Sequence, residues 1–96
     1  MIIGEVCKRL RLLRGLTQDE VSKQANLTQG YYSAIENGGI PSLETLSRLS
    51  QVFEVPLLFI ICLATEKQDM PKKQRGWYSV FKKEWDNIIE EVINSK

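Results

Sequence analysis

The sequence contains no histidine. That removes the commonest general base and the commonest zinc ligand. There is also no cluster of metal-ligand type, no glycine-rich phosphate loop and no paired nucleophile and base. Catalysis, a metal site and a cofactor all lack the residues they need, so the chain is read as not an enzyme. Cysteine is scarce: Cys7 and Cys62 lie far apart in apolar surroundings, which suits reduced, buried thiols rather than a disulfide framework. Long hydrophobic runs are missing. The longest, residues 57–64, has eight residues, well short of the roughly 20 that cross a bilayer. No signal peptide is visible, so a soluble, cytoplasmic protein away from membranes is expected. An excess of one charge is lacking too: a formal net charge of +1 over 96 residues neither supports nor excludes a nucleic-acid partner. Finally, no alternating apolar run signals a strand, and the Asn37-Gly38 pair sits between helical patterns rather than between strands.

What is present is helical. A first helix is expected from about Ile3 to Arg14, with Val6, Leu10 and Leu13 at helical spacing and Gly15 as its stop. "TQDE" opens a second at Thr17. It is a capping box, in which the Thr17 hydroxyl accepts from the Glu20 amide and the Glu20 carboxylate reaches back. Val21 and Ala25 form its inner face, and Asn26 suits a left-handed C-terminal position. A third runs from Thr28, which can cap it, to Asn37, and Gly38 can end it. A fourth follows Pro41 with Ser42 as cap and Leu43, Leu46, Leu49 and Phe53 as its stripe. A fifth starts near Pro56 and runs to about Thr65. These helices make one domain over 1–65. Residues 66–76, polar and carrying Pro71 and Gly76, read as a linker. Over 77–96, Trp77, Phe81, Trp85, Ile88 and Val92 form an amphipathic stripe.

The third helix poses a question. "LTQGYYSAIENG" has a glycine in its first turn, which disfavours helix by about 1 kcal/mol relative to alanine. Only two or three residues around Asn26 and Leu27 separate it from the second helix, as in a helix-turn-helix, whose second helix enters the major groove N-terminal end first. A helix that must approach base edges needs small or polar residues outside. Gln29 can read adenine in bidentate geometry, Gly30 lets the backbone come close, and Ala34 can touch a thymine methyl. Ser33 continues the outer face, Tyr31 can lie across the sugar-phosphate backbone, and Tyr32 and Ile35 turn inward. Each residue also has a plainer explanation: a solvated glutamine, a packing glycine, a surface tyrosine. The whole pattern, not any one residue, favours DNA.

"LRLLRGLTQDEVSKQANLTQGYYSAIENGGIPSLETLSRLSQVFEVP" resembles the Cro/C1-type (Xre) helix-turn-helix family of bacterial and phage repressors over roughly Ile3 to Thr65. "GLTQDEV", "IENG" and "PSLETL" match in order and at family spacing. The resemblance implies an all-α fold, a five-helix lambda-repressor-like DNA-binding domain plus a C-terminal amphipathic helix. It implies that Gln18 contacts phosphate and braces Gln29, that Thr17 and Asn37 contact phosphate, and that Arg11 and Glu36 form an ion pair between the first helix and the end of the third. Thr17, Gln18 and Asn37, with Thr28, Gln29, Gly30, Tyr31, Ser33 and Ala34, make the expected DNA interface, while the Arg11–Glu36 pair is expected to be structural. Gly30 and Ala34 fall where family members often carry longer polar side chains, and no arginine or lysine stands in the helix. Phosphate neutralisation is therefore expected from the first helix (Lys8, Arg9, Arg11, Arg14) or the basic stretch from Lys67 to Lys83.

The fifth helix is too apolar for a free surface. With Leu57, Ile60 and Ile61 in the core, Leu58, Phe59 and Cys62 are expected to be exposed and to need a cover. Two covers are available: a second protomer, or the C-terminal stripe of Trp77, Phe81, Trp85, Ile88, Ile89 and Val92. A homodimer on a near-palindromic operator suits the family. "KKEWDNIIEEVINS" also loosely resembles the interaction segment of Sin-type regulators, which pairs with an antagonist or with another copy of itself. Two functions follow: a dimeric, sequence-specific repressor binding double-stranded DNA, or a protein-interaction module on the same fold, antitoxin-like or antagonist-binding, with DNA contact weak or lost.

Overall fold

The computed structural model describes residues 1–69 and the backbone of 75–94, with the side chains of the latter segment except those at 75, 77, 78, 81, 89, 92 and 93. The described residues form six α-helices and no strand: α1 Ile3–Leu13, α2 Gln18–Gln24, α3 Gln29–Glu36, α4 Leu43–Phe53, α5 Leu57–Ala64 and α6 Arg75–Asn94.

Local chemistry accounts for the helix starts. Thr17 accepts from the Glu20 amide at 3.1 Å while Glu20 Oε1 accepts from the Thr17 amide at 3.0 Å, the complete capping box. Thr28 caps α3 and Ser42 caps α4, each hydroxyl accepting from the amide three residues on at 3.1 Å. The ends share a device. α1, α2, α3 and α4 each stop at a residue with positive φ, and the next amide reaches back five residues: Leu16 to Arg11 (3.0 Å), Leu27 to Ser22 (2.8 Å), Gly39 to Ala34 (2.8 Å) and Val55 to Ser50 (3.0 Å). Asn26 takes the left-handed position at φ 58°, as its side chain suggested. Glu54 occupies it at φ 60° with neither glycine's freedom nor asparagine's tolerance.

The core is the shared inner face of α1 to α5. Val6, Cys7, Leu10, Val21, Tyr32, Ile35, Leu49, Phe53 and Ile60 are all 3% exposed or less. Two expected core positions are not buried. Leu13, the last residue of α1, is 57% exposed, and Leu43, the first of α4, is 65% exposed: each lies at a helix end, beyond the buried part of its stripe. Leu57 and Ile61 are half-buried rather than fully so. α4 and α5 meet at 105°, and no single described helix is long and apolar enough to cross a membrane.

The final helix begins at Arg75, within the expected linker, and a short 3-10 turn, Lys67–Asp69, occupies another part of that linker. α6 lies on α5 of its own chain. The Phe59 and Trp85 rings meet edge-on, centroids 5.2 Å apart at 71°. Lys82 Nζ donates to the Leu63 carbonyl at 2.9 Å and the Cys62 carbonyl at 3.4 Å, so a charge from α6 caps the open C-terminal end of α5. Phe59 and Cys62 are consequently half-buried rather than exposed, while Leu58 remains 58% exposed. Of the other residues expected in this stripe, Ile88 is 44% exposed, and Trp77, Phe81, Ile89 and Val92 lie outside the described side chains.

Candidate nucleic-acid interface

α3 presents two different faces. Tyr32 and Ile35 are buried at 0% and 1%, which anchors the helix. Gln29, Gly30, Tyr31, Ala34 and Asn37 are exposed, and Ser33 is half-buried. Nothing lies within 4 Å of where a Cβ on Gly30 would stand. Gly30 is therefore no packing glycine, and it leaves the outer surface of α3 bare there. Thr17 and Thr28, exposed at the starts of α2 and α3, have their hydroxyl oxygens engaged in the caps.

Beneath this surface sits a charged cluster. Arg11 holds Glu36 with Nε to Oε2 at 2.7 Å and Nη2 to Oε1 at 3.2 Å, and its Nη1 donates to the Leu16 carbonyl at 3.1 Å. The side chains are 11% and 4% exposed, so this is a nearly dry bidentate pair joining α1 to the last turn of α3. Gln18 joins it, its Nε2 donating to Glu36 Oε1 at 3.0 Å. The recorded side-chain bond of Gln18 thus runs to Glu36 and not to Gln29. Burial by itself would raise the Glu36 carboxyl, but hydrogen bonds from Arg11 and Gln18, with the Arg11 charge, outweigh it and hold it below the usual carboxylate range. Burial, with the Glu36 carboxylate second, drives the Tyr32 hydroxyl far above the ordinary tyrosine value.

The supply of cations differs from expectation. Arg11 is committed to Glu36, and Arg14 Nε donates to the Phe53 carbonyl at 2.8 Å, closing the end of α4. Of Lys8, Arg9, Arg11 and Arg14, Lys8 and Arg9 are the exposed ones. Between Thr17 and Asn37 the one basic residue is Lys23, paired with Asp19 at 3.1 Å, against Asp19, Glu20 and Glu36. Sequence reasoning missed the Arg14 cap, the Gln18–Glu36 bond and the Lys82 cap. Each joins residues at least 18 positions apart, and none carries a local signal.

Two short helices joined by a turn at Asn26, the second exposing a small and polar face, define a helix-turn-helix. The comparisons agree. A helix-turn-helix family model matches residues 8–60, and the chain belongs to that Cro/C1-type family. Transcriptional regulator ClgR of Mycobacterium tuberculosis, in strains H37Rv and CDC 1551 / Oshkosh, is 35% identical over 75 residues, 77% of this chain. The chain spans 65% of the length of those relatives. A solved SinR protein/SinI protein complex has a chain that superposes with a TM-score of 0.62 at 23% identity, covering 99% of this chain and 81% of that one; the likeness is one of fold.

Proposed function

We propose that the chain is a sequence-specific DNA-binding transcriptional regulator, acting in the cytoplasm as a dimeric repressor with α3 in the major groove. The observation that carries this is the division of α3: an anchored inner face of Tyr32 and Ile35, and an exposed outer face of Gln29, Gly30, Tyr31 and Ala34 with no bulk between backbone and solvent at Gly30. In this account residues 1–65 are the DNA-binding unit, 66–76 the connection and 77–96 the dimerisation or partner-binding element. Gln29 reads adenine, Ala34 meets a thymine methyl, and Gln18, Thr17, Asn37 and Tyr31 line the phosphates. The name of the ClgR relatives, transcriptional regulator, supports the reading. The experiment is titration of duplexes from the chain's own upstream region at rising salt. A near-palindromic duplex is bound, and its affinity falls as salt rises, with Lys8 and Arg9 as exposed cations of α1. Absence of binding to any duplex at low salt would contradict the proposal.

One observation favours a second reading. Leu58 and Ile88 stay 58% and 44% exposed after α6 has covered α5, so apolar surface remains for a protein partner. The fold neighbour is a complex of two proteins, SinR and SinI, which points the same way. A partner held equally well by Gln29→Ala and Gln18→Ala variants, with no DNA affinity in any form, would establish that alternative.

A further inference from the structure

α6 rests on α5 and leaves a cleft of about 330 Å³ against α1. One side of the cleft is apolar, lined by Ile2, Val6, Leu10 and Leu13 of the α1 segment and by Leu63 of α5. The other side is polar: Lys82, Asp86, Glu90 and Asn94, at steps of four along α6. Lys82 is already engaged, by the carbonyls of Cys62 and Leu63 and by Asp86 at 3.5 Å. That leaves Glu5 and Arg9 of α1 and Glu90 of α6, all exposed. None of these makes an ion pair among the described residues. One cation and two anions thus border an apolar cleft without neutralising one another.

We propose that this cleft is an effector site for a small zwitterion with an apolar body, of the class of a free apolar amino acid or dipeptide. The Arg9 guanidinium takes the ligand carboxylate through paired N–H donors. Glu5 and Glu90 take the ammonium, and the apolar side chains lie against Ile2, Leu13 and Leu63. A ligand of a single charge would leave the opposite charge of the cleft unmatched. Ligand pockets run from about 300 to 1,000 Å³, so this cleft stands at the small end and suits one or two residues rather than a long peptide. The regulatory consequence rests on the DNA-binding reading above. Of the basic residues of α1, Lys8 and Arg9 are the ones exposed, and a bound carboxylate neutralises Arg9. The occupied chain then has one cation fewer for phosphates, so its affinity for DNA falls and depends less on salt.

The test is isothermal titration of the full chain, without DNA, with L-leucine and with L-leucyl-L-leucine. Binding of the first assigns the site to an amino acid, and binding of the second alone assigns it to a dipeptide. The amide of the bound probe, which lacks the carboxylate, and its N-acetyl form, which lacks the ammonium, are each expected to bind about 10-fold or more weaker. In Arg9→Gln the probe and its amide should bind alike, and in Glu5→Gln/Glu90→Gln the probe and its N-acetyl form should bind alike. All three side chains are exposed, so these variants keep the core intact. No heat from either probe at millimolar concentration overturns the proposal, and so does binding that both variants leave unchanged. The second arm uses a duplex from the chain's own upstream region that wild type binds. Saturating probe is expected to weaken that complex and to reduce the slope of log K against log salt by about 1. An unchanged complex overturns the regulatory role. A chain that binds no duplex overturns the DNA-binding reading, while the heats measured without DNA still decide the site.

Discussion

Gly4 of α1 lies against the carbonyl group of Glu36 at the end of α3, so close that a methyl group at Gly4 would stand 2.9 Å from the Glu36 oxygen, with the Ile35 carbonyl nearer still. Both obstacles are backbone, so neither can swing aside. The close approach places α1 where Arg11, two turns on, reaches Glu36. Gly4→Ala is expected to destabilise the chain by about 1–3 kcal/mol through overpacking. A urea midpoint unchanged from wild type would show that α1 can shift freely.

The Arg11–Glu36 pair predicts a reversal of pH dependence. In the wild type the Glu36 carboxyl is held below its ordinary value of 4.5, so its contribution to stability is full above that pH and is lost as pH falls through the depressed value. In Arg11→Met the burial of a side chain 4% exposed is no longer offset by the guanidinium, and the carboxyl rises above 4.5. The variant is expected to lose about 3–5 kcal/mol at pH 7. It should then recover part of that as pH falls toward 5, where wild type does not gain. Denaturation at a series of pH values reads the sign directly, and parallel curves for the two chains would refute the assignment.

The position of α6 rests on two named contacts, Phe59 with Trp85 and Lys82 with the carbonyls of Cys62 and Leu63. A double-mutant cycle on Phe59→Ala and Trp85→Ala should return a coupling of about 0.5–1.5 kcal/mol in favour of the pair. Lys82→Met should speed amide exchange in α6 more than in α1 to α4. A coupling near zero would mean that α6 does not rest on α5 of the same chain in solution.

The two thiols are expected to differ sharply. Cys7 is fully buried, and burial, with the Glu36 charge second, pushes its thiol up to about 12. Cys62 is half-buried on α5. In native protein at pH 8 a thiol reagent should modify Cys62 first, and in Cys62→Ala the remaining Cys7 should react only at the rate of global unfolding. Rapid modification of Cys7 in that variant would contradict its place in the core.

Much of this architecture is written locally. The capping box of Thr17 and Glu20, the caps at Thr28 and Ser42, and the left-handed Asn26 each depend on residues within a few positions, and each is found where it was expected. The inward turn of Tyr32 and Ile35 follows from helical periodicity. What could not be read is long-range. Periodicity places Leu13 and Leu43 on inner faces, but burial at a helix end depends on what packs there, and both are exposed. A basic residue looks alike in sequence whether it faces solvent, as Lys8 does, or closes another helix, as Arg14 does at Phe53. Gly4 carries no turn signal at all; its reason is the backbone of α3, which passes close by.

The central claim, that the outer face of α3 reads DNA, is tested most directly by fluorescence anisotropy of the wild-type chain and Gln29→Ala against duplexes tiling the chain's own upstream region. The account predicts that wild type binds one duplex well above the rest and that Gln29→Ala, its fold intact because Gln29 is exposed, loses about 10-fold or more of that preference while keeping its weak, salt-sensitive binding to all. Equal binding of both proteins to every duplex, or none by either at low salt, would contradict it.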